Sequence, residues 1–208
     1  MIVPGMSLEE VKHSLFRDYE EELRMKINNA HVVYKRRWLL NGKRDTIETI
    51  HYTTRSNNHW NIMLFCTQHY VHIVPYTIAY NSFGITASYI TSELSPLTFL
   101  HFNTHFFRRY RQRAKINIED PKELVKLFFK KNLYMFPSAI EREGKQDKVF
   151  TPLDKGVGLG DYYEKDNIYE FKTFVNEELL KEEQKKLIGE IYMETITMIM
   201  GQIQKAVK

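Results

Sequence analysis

Four runs rich in β-branched and aromatic residues, Thr46 to Tyr52, Trp60 to Thr67, Tyr70 to Tyr80 and Ile85 to Thr91, follow one another with breaks of Asn, Ser and Gly between them. Strands spaced this closely pair by folding back on each other, and the pattern predicts an antiparallel meander. Ahead of it, Ser7-Leu8-Glu9-Glu10 is a capping box, and Val11, Leu15, Tyr19, Leu23 and Ile27 recur at near-helical spacing. Residues 8 to about 28 are therefore expected to form an amphipathic helix, with a turn at Asn41-Gly42 before the first strand.

Beyond Ser95-Pro96 the pattern changes from strands to helices, which makes that dipeptide the one internal boundary to expect, between residues 1–95 and 96–208. A helix opens at Thr104-His105. A second is predicted from Asp120-Pro121, an N-cap followed by proline at the first helical position, to about Lys131. Strand-like runs then lie at Leu133 to Glu141, Lys148 to Leu153, Val157 to Tyr163 and Ile168 to Val175. Asn176-Glu177-Glu178 is expected to begin a terminal helix with a stripe of Leu180, Leu187, Ile191, Ile199 and Ile203. The fold class expected is α+β: an antiparallel N-terminal sheet half, then a helix-helix-antiparallel sheet unit, closed by a long C-terminal helix.

A content of 43% hydrophobic and 13% aromatic residues is enough for a packed core and argues against disorder. No apolar run approaches the roughly 18 residues of a membrane helix, and the start MIVPGMSLEE lacks the regions of a signal peptide. A cytoplasmic protein with no membrane partner is expected. The single cysteine, Cys66, lies inside the strand-like run Asn61 to Cys66 and reads as a small buried hydrophobe rather than a nucleophile.

Chemistry concentrates in Thr104 to Lys131. From His105 onward that stretch holds nine basic residues against three acidic ones, so it carries +6 of a net +4 and leaves the remainder at −2. A basic segment on a mildly acidic body suggests a polyanionic partner. At roughly 100° per residue, Phe106, Phe107, Tyr110 and Ala114 form one apolar arc, which must pack, and His105, Arg109 and Arg113 lie together on the polar side. With Asn103 or Thr104 as N-cap, His105 falls in the first turn, where free N–H groups and the helix dipole favour a phosphate. Metal-free RNA cleavage needs a base, an acid and fixed cations, and one histidine with two arginines supplies most of that set.

The spacing His105-x-x-x-Arg109-x-x-x-Arg113-x-x-Ile116, followed by a second helix and strands ending in Phe171-Lys172-Thr173-Phe174-Val175, resembles the small toxin-type ribonucleases grouped with barnase, EndoU, the colicin nucleases and RelE. It is most similar to the members whose first helix has a His followed by Arg at four and eight positions. The resemblance covers Thr104 to Val175. It implies a metal-independent endoribonuclease acting by 2′-OH attack, with His105, Arg109, Arg113 and Thr173 lining the RNA cleft, no cofactor, and an inhibitor protein as a further partner. Arg108, Arg111 and Lys115 are the accompanying nucleic-acid contacts. Two departures stand out: about 100 residues precede the helix, and Ala114-Lys115 replaces the glycine that often follows the second arginine.

Other readings stay open. Gly156-Val-Gly-Leu-Gly160 lacks the GxxxxGK[ST] pattern and has strand-like flanks, so the loop from Asp154 to Gly160 reads as a turn between strands, with Lys155 and Lys165 as its natural phosphate contacts. A histidine-ligated metal hydrolase would draw on His69-x-x-His72 or His101-x-x-x-His105, although strand positions 69 and 72 point to opposite faces. A non-catalytic nucleic-acid-binding or accessory protein would use the same arginines as a grip, with Tyr34, Trp38, Trp60 and Tyr110 as stacking candidates beside Lys35-Arg36-Arg37. Oligomeric state is not legible.

Overall fold

The computed structural model describes residues 1–42, 44–66, 71–91, 97–133, 135–140, 147–190, 193 and 197. The chain divides into two compact units, Met1–Thr91 and Ser92–Lys208, and its class is α+β. Ser95-Pro96 lies outside the described residues.

The first unit starts with helix α1, Leu8–Asp18, whose capping box forms as expected: Glu10 N donates to Ser7 Oγ, and Ser7 N donates to a Glu10 carboxylate oxygen. Helical structure does not stop near 28. It runs through a π turn, Tyr19–Leu23, into α2, Arg24–Leu40. The spacing explains the π turn. Val11, Leu15, Tyr19, Leu23 and Ile27 are all buried, yet each step of four residues on an α-helix rotates a side chain by about 40°, so five such positions drift off one face. One wider turn, closed by Arg24 N to Tyr19 O, absorbs the drift and keeps the stripe inward. Further burial of Ala30 and Trp38 carries α2 past Asn28-Asn29.

Strands β1 (Thr46–Thr53), β2 (His59–Cys66), β3 (Val71–Asn81) and β4 (Gly84–Thr91) pair antiparallel in sequence order, with Ile50 opposite Ile62, Ile62 opposite Pro75 and Tyr76 opposite Tyr89. Asp18 ties α1 to this sheet. Its buried carboxylate accepts from Thr54 and Ser56 in the β1–β2 connection, from Asn58 and from Trp60 Nε1. Burial alone would raise its pKa, but these donors outweigh it and hold the group below the ordinary carboxylate range.

The second unit contains an unexpected strand, β5 (Thr98–Phe102), followed by α3 (Thr104–Arg113), α4 (Pro121–Lys131) and β6 (Ser138–Ile140), β7 (Lys148–Leu153), β8 (Gly156–Tyr163) and β9 (Ile168–Asn176). Their order across the unit is β5, β9, β8, β7, β6. The pairs from β6 to β9 are antiparallel as expected, whereas β5 joins β9 in parallel, Phe99 beside Ile168 and Phe102 beside Phe171. Every residue of β5 is buried, so it has no polar alternation to mark it as a strand.

Aromatic packing fixes α3. Phe102 stacks on Phe171 with centroids 4.9 Å apart, Phe106 and Tyr110 meet Phe174, and Phe128 of α4 packs edge-on against Phe106, Phe107 and Tyr110. The apolar arc of α3 is thus the packed face. Asn103 caps the helix by accepting from Phe106 N at 3.0 Å, and Asp120 caps α4.

The glycine segment is not a loop. The reversal is confined to Asp154-Lys155, with Lys155 at φ 65°, and the glycines lie within β8, where side chains do not fit. A Cβ on Gly156 would come 2.1 Å from Val175 O, and one on Gly160 1.8 Å from Glu170 O, beside a bulge at Leu159/Gly160. The terminal helix begins later than Asn176. That residue ends β9 and caps a 3₁₀ turn, Glu177–Leu179; Leu180 is extended, and described helix spans 182–190. Ile191, Ile199 and Ile203 lie outside the described residues.

Candidate functional site

The polar side of α3 assembles most of the expected residues. His105 lies between two arginines: Arg108 Nη2 is 2.8 Å from Nδ1, and Arg109 Nε is 3.3 Å from Nε2. A neutral imidazole has one ring nitrogen able to accept, so in either tautomer only one of these arginines donates to it. A proton added to the ring would meet guanidinium groups on both sides. Burial, then Arg108, Arg109 and Arg113, push the His105 pKa below its ordinary value. Arg109 also donates to Gln112 Oε1 at 3.2 Å.

Arg113 has a second task. Its Nη1 donates to Phe174 O at 2.6 Å, and Asn176 Nδ2 donates back to Arg113 O at 3.0 Å, so the end of α3 is stitched to the end of β9. Arg111 and Lys115 are exposed; with Arg108, Gln112, Ile116 and Asn117 they line an open concavity of about 470 Å³. Lys155 reaches the same end of the unit as Arg113: its carbonyl accepts from Glu177 N at 3.1 Å, next to Asn176. Among the described residues, none of Arg108, Arg109, Arg111 and Arg113 has a carboxylate within ion-pair distance, whereas Lys126 pairs with Glu123 and Lys131 with Asp154.

Thr173 is not brought to this group. Phe171 and Phe174 of β9 face α3, while Thr173 lines a cavity of about 430 Å³ together with Lys172, Asp161, Leu180, Gln184 and Leu187. That side of the sheet holds a cluster the sequence reading passed over. Lys172 Nζ lies 2.8 Å from Asp161 and 3.0 Å from Glu170, Lys148 also pairs with Asp161, and Tyr163 donates to Glu170 at 2.9 Å. Burial opposes charge on both members, but Asp161 is held below and Lys172 above its ordinary pKa by these pairings. Its signal in the sequence is the polar alternation at 161 and 163 and at 170 and 172.

The remaining candidates separate. His101, in β5, is buried and stacks on Phe99, and burial, opposed by Glu170, lowers its pKa to about 4. It stands on a strand and His105 on a helix, so the i, i+4 relation required of a two-histidine metal site does not form. His69 lies outside the described residues, and among those described no group of three or more His, Cys, Asp or Glu could hold a metal ion. Cys66 is buried and its thiol is pushed up by burial, which does not suit a nucleophile. Trp38, Trp60 and Tyr110 are buried and unavailable for stacking on bases. No family model, curated protein or solved structure matches the chain.

Proposed function

We propose that the polar face of α3 is a grip for the phosphates of nucleic acid, RNA in the first instance. The observation that carries this is the absence, among the described residues, of any carboxylate paired with Arg108, Arg109, Arg111 or Arg113. The guanidinium groups of Arg108, Arg109 and Arg113 near His105 repel one another, and a phosphate placed among them relieves that repulsion with charge-assisted, bidentate hydrogen bonds. The exposed Arg108, Arg111 and Lys115 continue the grip along the concavity, with Lys155 beyond Arg113. Arg108→Gln together with Arg111→Gln is expected to weaken RNA binding and to flatten its log-log salt dependence by roughly 0.7 for each lost single-strand phosphate contact. A slope equal to that of the unsubstituted protein would show that α3 does not meet the polyanion.

A metal-independent endoribonuclease is the second reading, and one observation favours it. Burial and the neighbouring guanidinium groups lower the His105 pKa, which favours the neutral ring that a base for the 2′-OH must have. A toxin of that kind would have an inhibitor protein as its partner. Thr173 does not complete this set, since it lines the other cavity. Cleavage of RNA in EDTA that leaves a 2′,3′-cyclic phosphate, and falls by about 10² to 10⁴ in His105→Ala, would replace the grip with this reaction.

A further inference from the structure

Helix α2 presents two apolar faces. Ile27, Ala30 and Trp38 are buried against the sheet of the first unit, while Met25 (70% exposed), Val32 (67%), Val33 (46%), Leu39 (53%) and Leu40 (76%) point away from it. At roughly 100° per residue these five span one continuous outward arc, which also holds Asn29 and Arg36. Lys26 and Arg37 border the arc on one side and Arg24 and Lys35 on the other, with Arg24 paired to Glu20 and Arg37 to Glu48. The seventeen residues of α2 contain no Asp or Glu. An exposed apolar stripe of five side chains is unusual on a soluble surface, and cations along both of its edges narrow what can cover it.

We propose that the outward face of α2 is a contact surface for an anionic lipid bilayer. The helix lies in the plane of the interface, with the five apolar side chains among the acyl chains and the flanking cations at the level of the headgroups. Arg36, inside the arc, reaches the headgroups by extending its stem along the apolar surface. Such a contact needs no span, and no described helix is long and apolar enough to cross a membrane. Charge selects the lipid over a second copy. Met25, Val32 and Leu39 are spaced by sevens, as in a coiled-coil seam, but two copies meeting there would bring like-charged edges together, offset in part by Glu20 and Glu48, which pair with Arg24 and Arg37.

The test uses the full chain with vesicles of phosphatidylcholine alone and of phosphatidylcholine mixed with phosphatidylserine, read by flotation. The protein is expected to float only with the mixed vesicles, and less as salt is raised. Val32→Glu and Leu40→Glu should each weaken this at least tenfold, and Arg36→Gln roughly fivefold. All three positions are exposed, so the variants should fold, which circular dichroism would check. Arg108→Gln with Arg111→Gln should float as the unsubstituted protein does, since α3 is a different surface. Failure to float, equal flotation with uncharged vesicles, flotation insensitive to Val32→Glu and Leu40→Glu, or flotation lost through the α3 variant would each overturn the proposal. A dimer in light scattering that Val32→Glu abolishes would overturn it in favour of self-association.

Discussion

His101 and His105 are four residues apart, and both have a lowered pKa by different means, burial in the first case and burial with neighbouring guanidinium groups in the second. For His101 the consequence is a stability that depends on pH. Its folded pKa of about 4 lies below the 6.5 of an accessible histidine, so the unfolded chain takes up the proton first as pH falls. Stability from this group is complete above about pH 6.5 and is lost between there and pH 4, by on the order of 3 kcal/mol. Urea titrations at several pH values should show the loss, and His101→Gln should remove most of it. His105 makes no such demand. It lies on the polar side of α3, so His105→Ala should leave urea stability within about 1 kcal/mol, and RNA affinity close to unchanged under the grip reading. A chain that unfolds on this substitution would show that the histidine supports the helix rather than a ligand.

At the scale of elements, β8 is the least forgiving. Gly160→Ala would place a Cβ 1.8 Å from Glu170 O, a backbone atom of the neighbouring strand, so β8 and β9 must part. A clear drop in melting temperature is expected, with the bulge at Leu159/Gly160 disturbed, and a melting temperature equal to that of the unsubstituted protein would contradict the close approach. Elements marked by periodicity were legible in the sequence. The meander follows from alternating β-branched residues, the polar side of α3 from Arg109 and Arg113 following His105 at i+4 and i+8, and both helix starts from Asn103 and Asp120. What escaped has a physical reason in each case. Strand β5 is buried on both faces and has no alternation; α2 outruns its stripe because Trp38 anchors it a further three turns on; the β8 glycines imitate a loop because close backbone approach and turns ask for the same residue. The displacement of Thr173 was beyond sequence for another reason. One bulge in β9 decides which face a residue takes, and only the register between Leu159 and Thr173 reveals it.

At the scale of the whole molecule, a net charge of +4 describes neither basic strip. Arg24–Leu40 carries five Lys and Arg with no acid, and His105 to Lys131 carries +6, against a remainder rich in carboxylates. Within the first unit, Asp18 holds α1 to the β1–β2 connection and to β2. Asp18→Ala would leave Trp60 Nε1 buried without its acceptor and take the shorter of their bonds from Thr54 and Asn58, which keep Asn58 O and Ser14 Oγ, and should cost on the order of 3 kcal/mol, seen as a lower urea midpoint for that unit.

Both tryptophans of the chain, Trp38 and Trp60, are buried in the first unit, and Trp60 touches Asp18 itself. Indole emission is therefore a private reporter. Light that excites tryptophan alone reports from Met1–Thr91 and not from the phenylalanine-rich core around Phe128, so wherever the two units melt apart, a fluorescence trace taken as the unfolding curve of the protein would describe less than half of it.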